Sequence, residues 1–344
     1  MPVNHQIHTD KYSLYNGDSC EVLPEIPSES VGFCIYSPPF AELYNYSSSD
    51  RDLSNCRSYE EFLEHYRFIV EQVYRVLKPG RLTAIHCMDL KVNSHRSRDF
   101  PGDIIRLHES VGFEYPGFRH AIWKEPLRVA IRTRSLHLMH RQIVKDSTLC
   151  GAAGADYLVI MRKPGENKEP VSHPKGLMTY AGENQPPAEL VLKYAGWEDP
   201  STNKHSHYIW QRYASSFWDD IRAGRVLPYK PAREKDDEKH VCPLQLDVIE
   251  RGLTLYSNPG DVVLTPFLGV GSEIFAAVQN GRKGIGIELK ETYYKQACRN
   301  IEHAAQNEKY SDEDLFSFAA KKKNAEMSAI EINDDDEEIP ELME

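Results

Sequence analysis

Apolar residues along this chain follow two rhythms that alternate from one end to the other. Short, nearly continuous runs suited to buried strands occur at Tyr12–Tyr15, Val31–Tyr36, Leu82–Cys87, Phe118–Trp123, Asp156–Arg162, Val262–Thr265 and Gly284–Glu288. Between them the spacing lengthens to three and four residues. Phe62, Tyr66, Ile69, Val73 and Val76 predict an amphipathic helix over Tyr59–Leu77, capped by Ser58 and closed by Lys78-Pro79-Gly80. Further helices are expected over Asp103–Ser110, Leu244–Tyr256, Ser272–Gln279 and Thr292–Ala305.

This alternation predicts an α/β fold with a doubly wound, mostly parallel sheet covered on both faces, whose ligands bind at the carboxyl ends of the strands. The residues just after each strand are therefore the informative ones. Asn16-Gly17-Asp18 is a turn signal after the first run, and Ser37-Pro38-Pro39-Phe40 stops the second abruptly, because two prolines supply no ladder donor. From Lys163 to Lys239 the periodicity weakens and the text is rich in Pro, Gly, Tyr, Trp and charge. This stretch reads as a module inserted between a first half, 1–162, and a second, 240–310, with 311–344 an acidic tail expected to be disordered.

Composition changes the picture in three ways. The formal net charge of −11 argues against a nucleic-acid partner until its distribution is considered: residues 331–344 carry eight acids and no Lys or Arg, and without them about −3 remains. Between the runs ending at Trp123 and starting at Asp156, a loop over 124–154 gathers Lys124, Arg128, Arg132, Arg134, His137, His140, Arg141 and Lys145. It is suited to phosphates, with a solvated basic face as the alternative. The seven cysteines include no C-x-x-C pair, which argues for reduced thiols and no metal site. No apolar run is long enough to span a bilayer, so a cytoplasmic protein is the default expectation.

Pro266-Phe267-Leu268-Gly269-Val270-Gly271-Ser272 joins a strand to a helix. Its glycines let the backbone approach a ligand, and the helix start offers unpaired N–H groups. Glu288 ends the next strand, where a carboxylate can accept hydrogen bonds from both hydroxyls of a ribose. A nucleoside-bearing cofactor fits this unit. NAD fits less well, since a third glycine is missing from the dinucleotide position.

Ser37-Pro38-Pro39-Phe40 is the most specific signal, and here the sequence resembles the amino-methyltransferase family of DNA modification enzymes. The resemblance is to the permuted, beta-type arrangement in which the catalytic motif precedes the cofactor motif. It extends to Asn16-Gly17-Asp18, to the helix ending in Leu77-Lys78-Pro79-Gly80, to Pro243-Leu244-Gln245, to the 266–272 loop and to Glu288. It implies a seven-stranded methyltransferase sheet, S-adenosyl-L-methionine as cofactor and double-stranded DNA as partner. The inserted module becomes a target-recognition region, and a homodimer and a cognate restriction enzyme stay open. The cofactor would be held by Asp18, Pro243, Gln245, Pro266, Phe267, Gly269, Gly271, Ser272 and Glu288. Ser in first place favours cytosine N4 over adenine N6. A catalytically silent DNA-binding protein is the remaining alternative, supported by one departure: Thr265 stands where the family loop opens with Asp, with Asp261 and Glu273 as unranked substitutes.

The chemistry suits these residues. A conjugated amine is a poor nucleophile, and acceptors on its two N–H groups, the Ser37 Oγ and the Pro38 carbonyl, draw its nitrogen toward sp3 character. Phe40 would stack on a base flipped from the duplex. C5 methylation needs a thiolate, normally presented in a Pro-Cys dipeptide, and none occurs here.

Overall fold

In chain order the strands are β1 (His5–His8), β2 (Tyr12–Asn16), β3 (Val31–Tyr36), β4 (Leu77–Met88), β5 (Leu90–Lys91), β6 (Ser97–Arg98), β7 (Arg119–Ile122), β8 (Asp156–Arg162), β9 (Phe217–Trp218), β10 (Val262–Thr265) and β11 (Lys283–Glu288). The helices are α1 (Ser19–Val22), α2 (Tyr59–Val76), α3 (Phe100–Val111), α4 (Ala188–Tyr194), α5 (Lys204–Ala214), α6 (Leu246–Tyr256), α7 (Ser272–Gln279) and α8 (Glu291–Ala305). A computed structural model supplies these elements and describes residues 3–39, 52–92, 96–125, 144, 146, 154–194, 197, 199–232 and 243–306.

All seven strands read from the sequence are present in one sheet, extended at its edges by β1 and the two-residue β9. Its order is β1-β2-β11-β10-β3-β4-β8-β7-β9, while β5 and β6 form a small ladder of their own. The five central strands β2, β11, β10, β3 and β4 run parallel. β8 lies antiparallel between β4 and β7. Alternation along β3 feeds both faces: Phe33 and Ile35 pack with Val248 and Leu253 of α6, Phe275 of α7 and Ala297 of α8. Cys34 and Tyr36 pack with Phe62, Tyr66 and Val70 of α2 and with Phe100 and Ile104 of α3. Among the described residues no helix is long and apolar enough to cross a membrane.

Two sequence expectations need correction. Lys78-Pro79-Gly80 does not separate a helix from a strand. β4 begins at Leu77 directly after α2, and the three residues lie within it. Gly80 makes this possible by adopting φ 73°, and the register of β4 against β3 shifts between the Val31 and Phe33 pairs. Helix α3 starts three residues before the periodic pattern, because the Asp99 carboxylate accepts the Gly102 N–H at 2.9 Å and Pro101 occupies the first turn.

Residues 163–232 are tied to the sheet. Trp218 sits in β9 and, with Leu227 and Ala232, joins the main core. Arg251 of α6 is fully buried, donates to the Ala181 carbonyl at 2.8 Å and to Asp220 at 2.7 Å, and lies against the rings of Tyr180, Tyr213 and Trp218. The aromatics of this stretch divide: Tyr213 and Trp218 are buried, whereas Trp210 and Phe217 are exposed.

The amino end of the sheet is pinned by a buried ion pair between Arg81 and Asp261, with Arg81 also donating to the Gly32 carbonyl at 2.8 Å. A Cβ at Gly32 would meet the Asp261 carboxyl at 2.7 Å, so the pair needs glycine there. Truncating one partner strands the other charge in low dielectric. Arg81→Ala should therefore cost about 3–5 kcal/mol of unfolding free energy in a urea titration; a loss under about 1 kcal/mol would contradict this role.

Candidate active site

The serine motif and the glycine loop lie 229 residues apart between Ser37 and Pro266 in sequence and side by side in space. β3 pairs with β10 in parallel, Phe33 opposite Val263 and Cys34 opposite Leu264, so both segments leave the sheet at the same edge. The rings of Tyr36 and Phe267 meet at a centroid distance of 5.7 Å across this junction. The Ser19 hydroxyl, in the first turn of α1, donates to the Pro266 carbonyl and ties the Asn16-Gly17-Asp18 turn to the same place.

Ser37 is half-buried and Pro38 buried. The Ser37 hydroxyl lies 2.9 Å from His86 Nδ1, and His86 Nε2 lies 3.3 Å from an oxygen of Asp156. The other Asp156 oxygen meets the Lys124 ammonium. These four residues come from or just beyond β3, β4, β8 and β7, forming one row across four neighbouring strands at the edge where Ser37 emerges. Burial alone would push the Asp156 carboxyl up, but His86 and Lys124 outweigh it and hold it below the usual carboxylate range. On the opposite face Tyr36 Oη contacts Tyr66 Oη at 2.8 Å and His108 Nε2 at 3.4 Å. Burial lowers His108 to about 4, so it stays neutral there.

The glycine loop is built to leave room. Gly269 has φ 55°, and a Cβ placed on it would meet no atom within 4 Å; Gly271, at φ 94°, is packed against Ala297 and Ile301 and starts α7. Glu288 closes the bend: its two oxygens accept the Gly269 N–H at 2.7 Å and the Lys290 N–H at 2.8 Å. Each oxygen keeps a second lone pair for a ligand hydroxyl. Burial raises Glu288 to about 7 despite those two donors, with Asp52 adding to the shift. β2 brings Asn16 opposite Glu288, and the Asp18 side chain caps α1 through the Cys20 N–H at 2.9 Å.

Helix α6 runs back along the β3 face, with Tyr256 against Phe33 and Gly252 against Ile35, which places its Gln245 cap toward the carboxyl ends of the strands. Pro243 precedes it, half-buried. Gln245 Oε1, Thr265 Oγ1, Ser272 Oγ and Asn16 Oδ1 are all buried without a hydrogen-bond partner. Such orphans are costly unless something fills them, and a nucleoside carrying an amino acid offers the matching donors and acceptors.

The two candidates for the missing loop acid now separate. Asp261 is committed to Arg81 and to the Asn258 N–H at the opposite end of β10. Glu273 instead sits in the first turn of α7, buried and raised by that burial to about 8, with Glu288 adding to the shift. Lys124, expected to face phosphate, is engaged by Asp156. Phe40, Arg128, Arg132, Arg134 and Arg141 lie outside the described residues. Sequence reasoning missed His86 and Asp156. Their only signal was a histidine and an aspartate near the carboxyl-edge ends of two mainly apolar runs.

A family model described as DNA methylase, covering N6 and N4 enzymes, matches residues 31–299. The type II methyltransferase M.BglI of Bacillus subtilis is 24% identical over 94% of this chain and 96% of its own length. The DNA adenine methyltransferase YhdJ of Escherichia coli (strain K12) is 22% identical over 90% of this chain and 88% of its own. Among solved structures, a chain from Thermus thermophilus described as a DNA modification methylase, complexed with S-adenosyl-L-methionine, superimposes with a TM-score of 0.55. It is 23% identical and the match covers 85% of this chain and 93% of that one.

Glu273 and Glu288 hold their protons to higher pH when folded than an ordinary glutamate does. Between about pH 4.5 and 8 the unfolded chain ionises while the native one resists, so stability falls as pH rises. Urea denaturation of the cofactor-free protein should show a loss of several kcal/mol, at most about 6, between about pH 5 and pH 8, and Glu273→Gln should remove somewhat more than half of it.

Proposed function

Since the chain belongs to the DNA methylase family, whose methyl donor is S-adenosyl-L-methionine, we propose that it methylates cytosine N4 in double-stranded DNA at the cleft between Ser37 and the 266–272 loop. The observation that carries this reading is the parallel pairing of β3 with β10, which sets an acceptor-bearing motif beside a glycine bend. In this reading Gln245, Pro266, Phe267, Gly269, Gly271, Ser272 and Glu288 hold the cofactor, with Asp18 and Pro243 flanking it. Glu273 is the substitute for the loop acid, its buried carboxyl ready to meet the cofactor's ammonium. When bound, the cofactor supplies a methyl group on a sulfonium and is left as a neutral thioether.

The chain's own residues do the rest. Ser37 Oγ and the Pro38 carbonyl accept the two N–H groups of the target amine, withdrawing its lone pair from the ring and directing it at the methyl group. Pro39 keeps the segment rigid, and Phe40 stacks on the flipped base. Arg128, Arg132, Arg134 and Arg141 grip phosphates, which would make binding fall with salt. Residues 163–239 supply target recognition, with exposed Trp210 and Phe217 as contact candidates.

Serine in first place of the motif supports N4. The adenine relative favours N6 as the second reading. Nucleoside mass spectrometry of DNA incubated with protein and cofactor separates them: N4-methylcytosine is expected, N6-methyladenine would move the reading to its rival, and no methylated base would defeat both. Ser37→Ala should lower the transfer rate about 100-fold with cofactor Kd unchanged. Glu288→Ala should weaken cofactor binding about 10- to 100-fold by calorimetry.

A further inference from the structure

Among the described residues, His86, His108 and His120 are buried in or against this sheet, and His86 differs from the other two. His108 Nδ1 is held by the Ile104 carbonyl and His120 Nδ1 by the Ser215 carbonyl, each at 2.7 Å, as expected of rings that fill and brace a core. His86 is 8% exposed, and its two nitrogens meet a serine hydroxyl and a carboxylate instead. We infer that His86, backed by Asp156, holds the Ser37 hydroxyl as an acceptor and takes up through it the proton that the target amine must shed. The inference rests on the reading in which Ser37 meets that amine.

The hydrogen-bond directions follow from the donor inventory. An ionised Asp156 can only accept, so His86 Nε2 carries the ring proton. Nδ1 of the neutral imidazole then has a lone pair, and the Ser37 hydroxyl donates to it. With its own hydrogen committed, Ser37 Oγ presents lone pairs to the cleft, the polarity an amine N–H requires. A serine free to rotate could equally present its hydrogen and repel the donor. The charged group meeting the ring is Asp156 from β8, itself neutralised by Lys124 beyond β7. His120, in register with Leu158 as His86 is, faces Tyr256 Oη instead.

As the amine nitrogen forms its bond to carbon, it becomes cationic and must lose one hydrogen. The N–H electron pair stays on nitrogen, the proton passes to Ser37 Oγ, and the serine hydroxyl proton passes to His86 Nδ1. One positive charge is thereby moved onto the imidazole, where the Asp156 carboxylate faces it, and it leaves to solvent afterwards. His86 acts through Ser37 and is a positioning residue that also stores the proton.

The test is single-turnover methyl transfer to duplex DNA between about pH 5.5 and 8.5, with cofactor and DNA dissociation constants measured in parallel. His86→Asn retains an amide oxygen to accept the Ser37 hydroxyl but cannot take up a proton. It should bind cofactor and DNA within about twofold of wild type, transfer at least about 10-fold more slowly at neutral pH, and lose the acidic limb of the profile. Asp156→Asn should keep that limb and move it to lower pH, because the imidazolium loses its counter-charge while Lys124 remains. Apart from activity, 15N shifts of His86 should report the Nε2–H tautomer in the resting protein. A His86→Asn rate within about twofold of wild type, a slower rate with the limb intact, or an Nδ1–H tautomer overturns the inference. Wild type that transfers no methyl group to DNA defeats the underlying reading, and this proposal with it.

Discussion

Everything at the site depends on one strand pairing. β3 and β10 come from opposite ends of the polypeptide, and their main-chain ladder is what sets a serine-proline corner beside a glycine bend at one edge of the sheet. Parallel strands direct both carboxyl ends to the same edge, and the centre of the sheet is where the two halves of the chain meet. Slipping this register by one residue would exchange Phe33 and Ile35 for Cys34 and Tyr36 on the α6 face and misplace Ser37. The pairing is protected by apolar cores on both faces and by the Arg81–Asp261 pair at the far end.

The polar groups buried in this sheet sort by position. At the amino end Arg81 and Asp261 satisfy each other and serve packing. At the carboxyl end the satisfied and the unsatisfied lie together: Ser37, His86, Asp156 and Lys124 form a closed row, while Gln245 Oε1, Thr265 Oγ1 and Ser272 Oγ wait without partners. Groups left unpaired in a low-dielectric pocket lower the stability of the empty protein, and a ligand that pairs them recovers that loss on binding. Raised carboxyls at Glu273 and Glu288 belong to the same trade, since a cation or hydroxyl donor brought in by a ligand would let them ionise.

The described part of 163–232 has only a small apolar cluster of its own, Leu177, Ala181, Ile209 and Tyr213, and is held by what reaches it from the sheet. Arg251 enters it from α6 as a buried cation, and Asp220, the Ala181 carbonyl and three aromatic rings close around the guanidinium. Burial would raise Asp220, yet its bond from Tyr180 and the charges of Arg251 and Arg212 keep it low. Trp218 then completes both that cluster and the outer edge of the sheet, so the aromatic spacing around 208–218 serves packing at Tyr213 and Trp218 and leaves Trp210 and Phe217 facing solvent.

Sequence alone located the main elements and marked the segments that follow their carboxyl ends. Short, nearly continuous apolar runs located the seven strands that β1 and β9 extend, spacings of three and four located α2, α3, α6, α7 and α8, and the Ser37 and Gly269 segments announced themselves through prolines and glycines just past a strand end. Local signals of this kind are legible because each residue's preference is read against its neighbours. Tertiary structure decided what depended on residues distant in the chain: that Asp261 belongs to Arg81 and leaves Glu273 near the loop, that Lys124 is bound to Asp156, and that Gly80 carries β4 through a Lys-Pro-Gly stop. The row from Ser37 to Asp156 was invisible for the same reason. Its members lie 49 and 70 residues apart, and only the strand register brings a hydroxyl, an imidazole and a carboxylate within hydrogen-bonding reach.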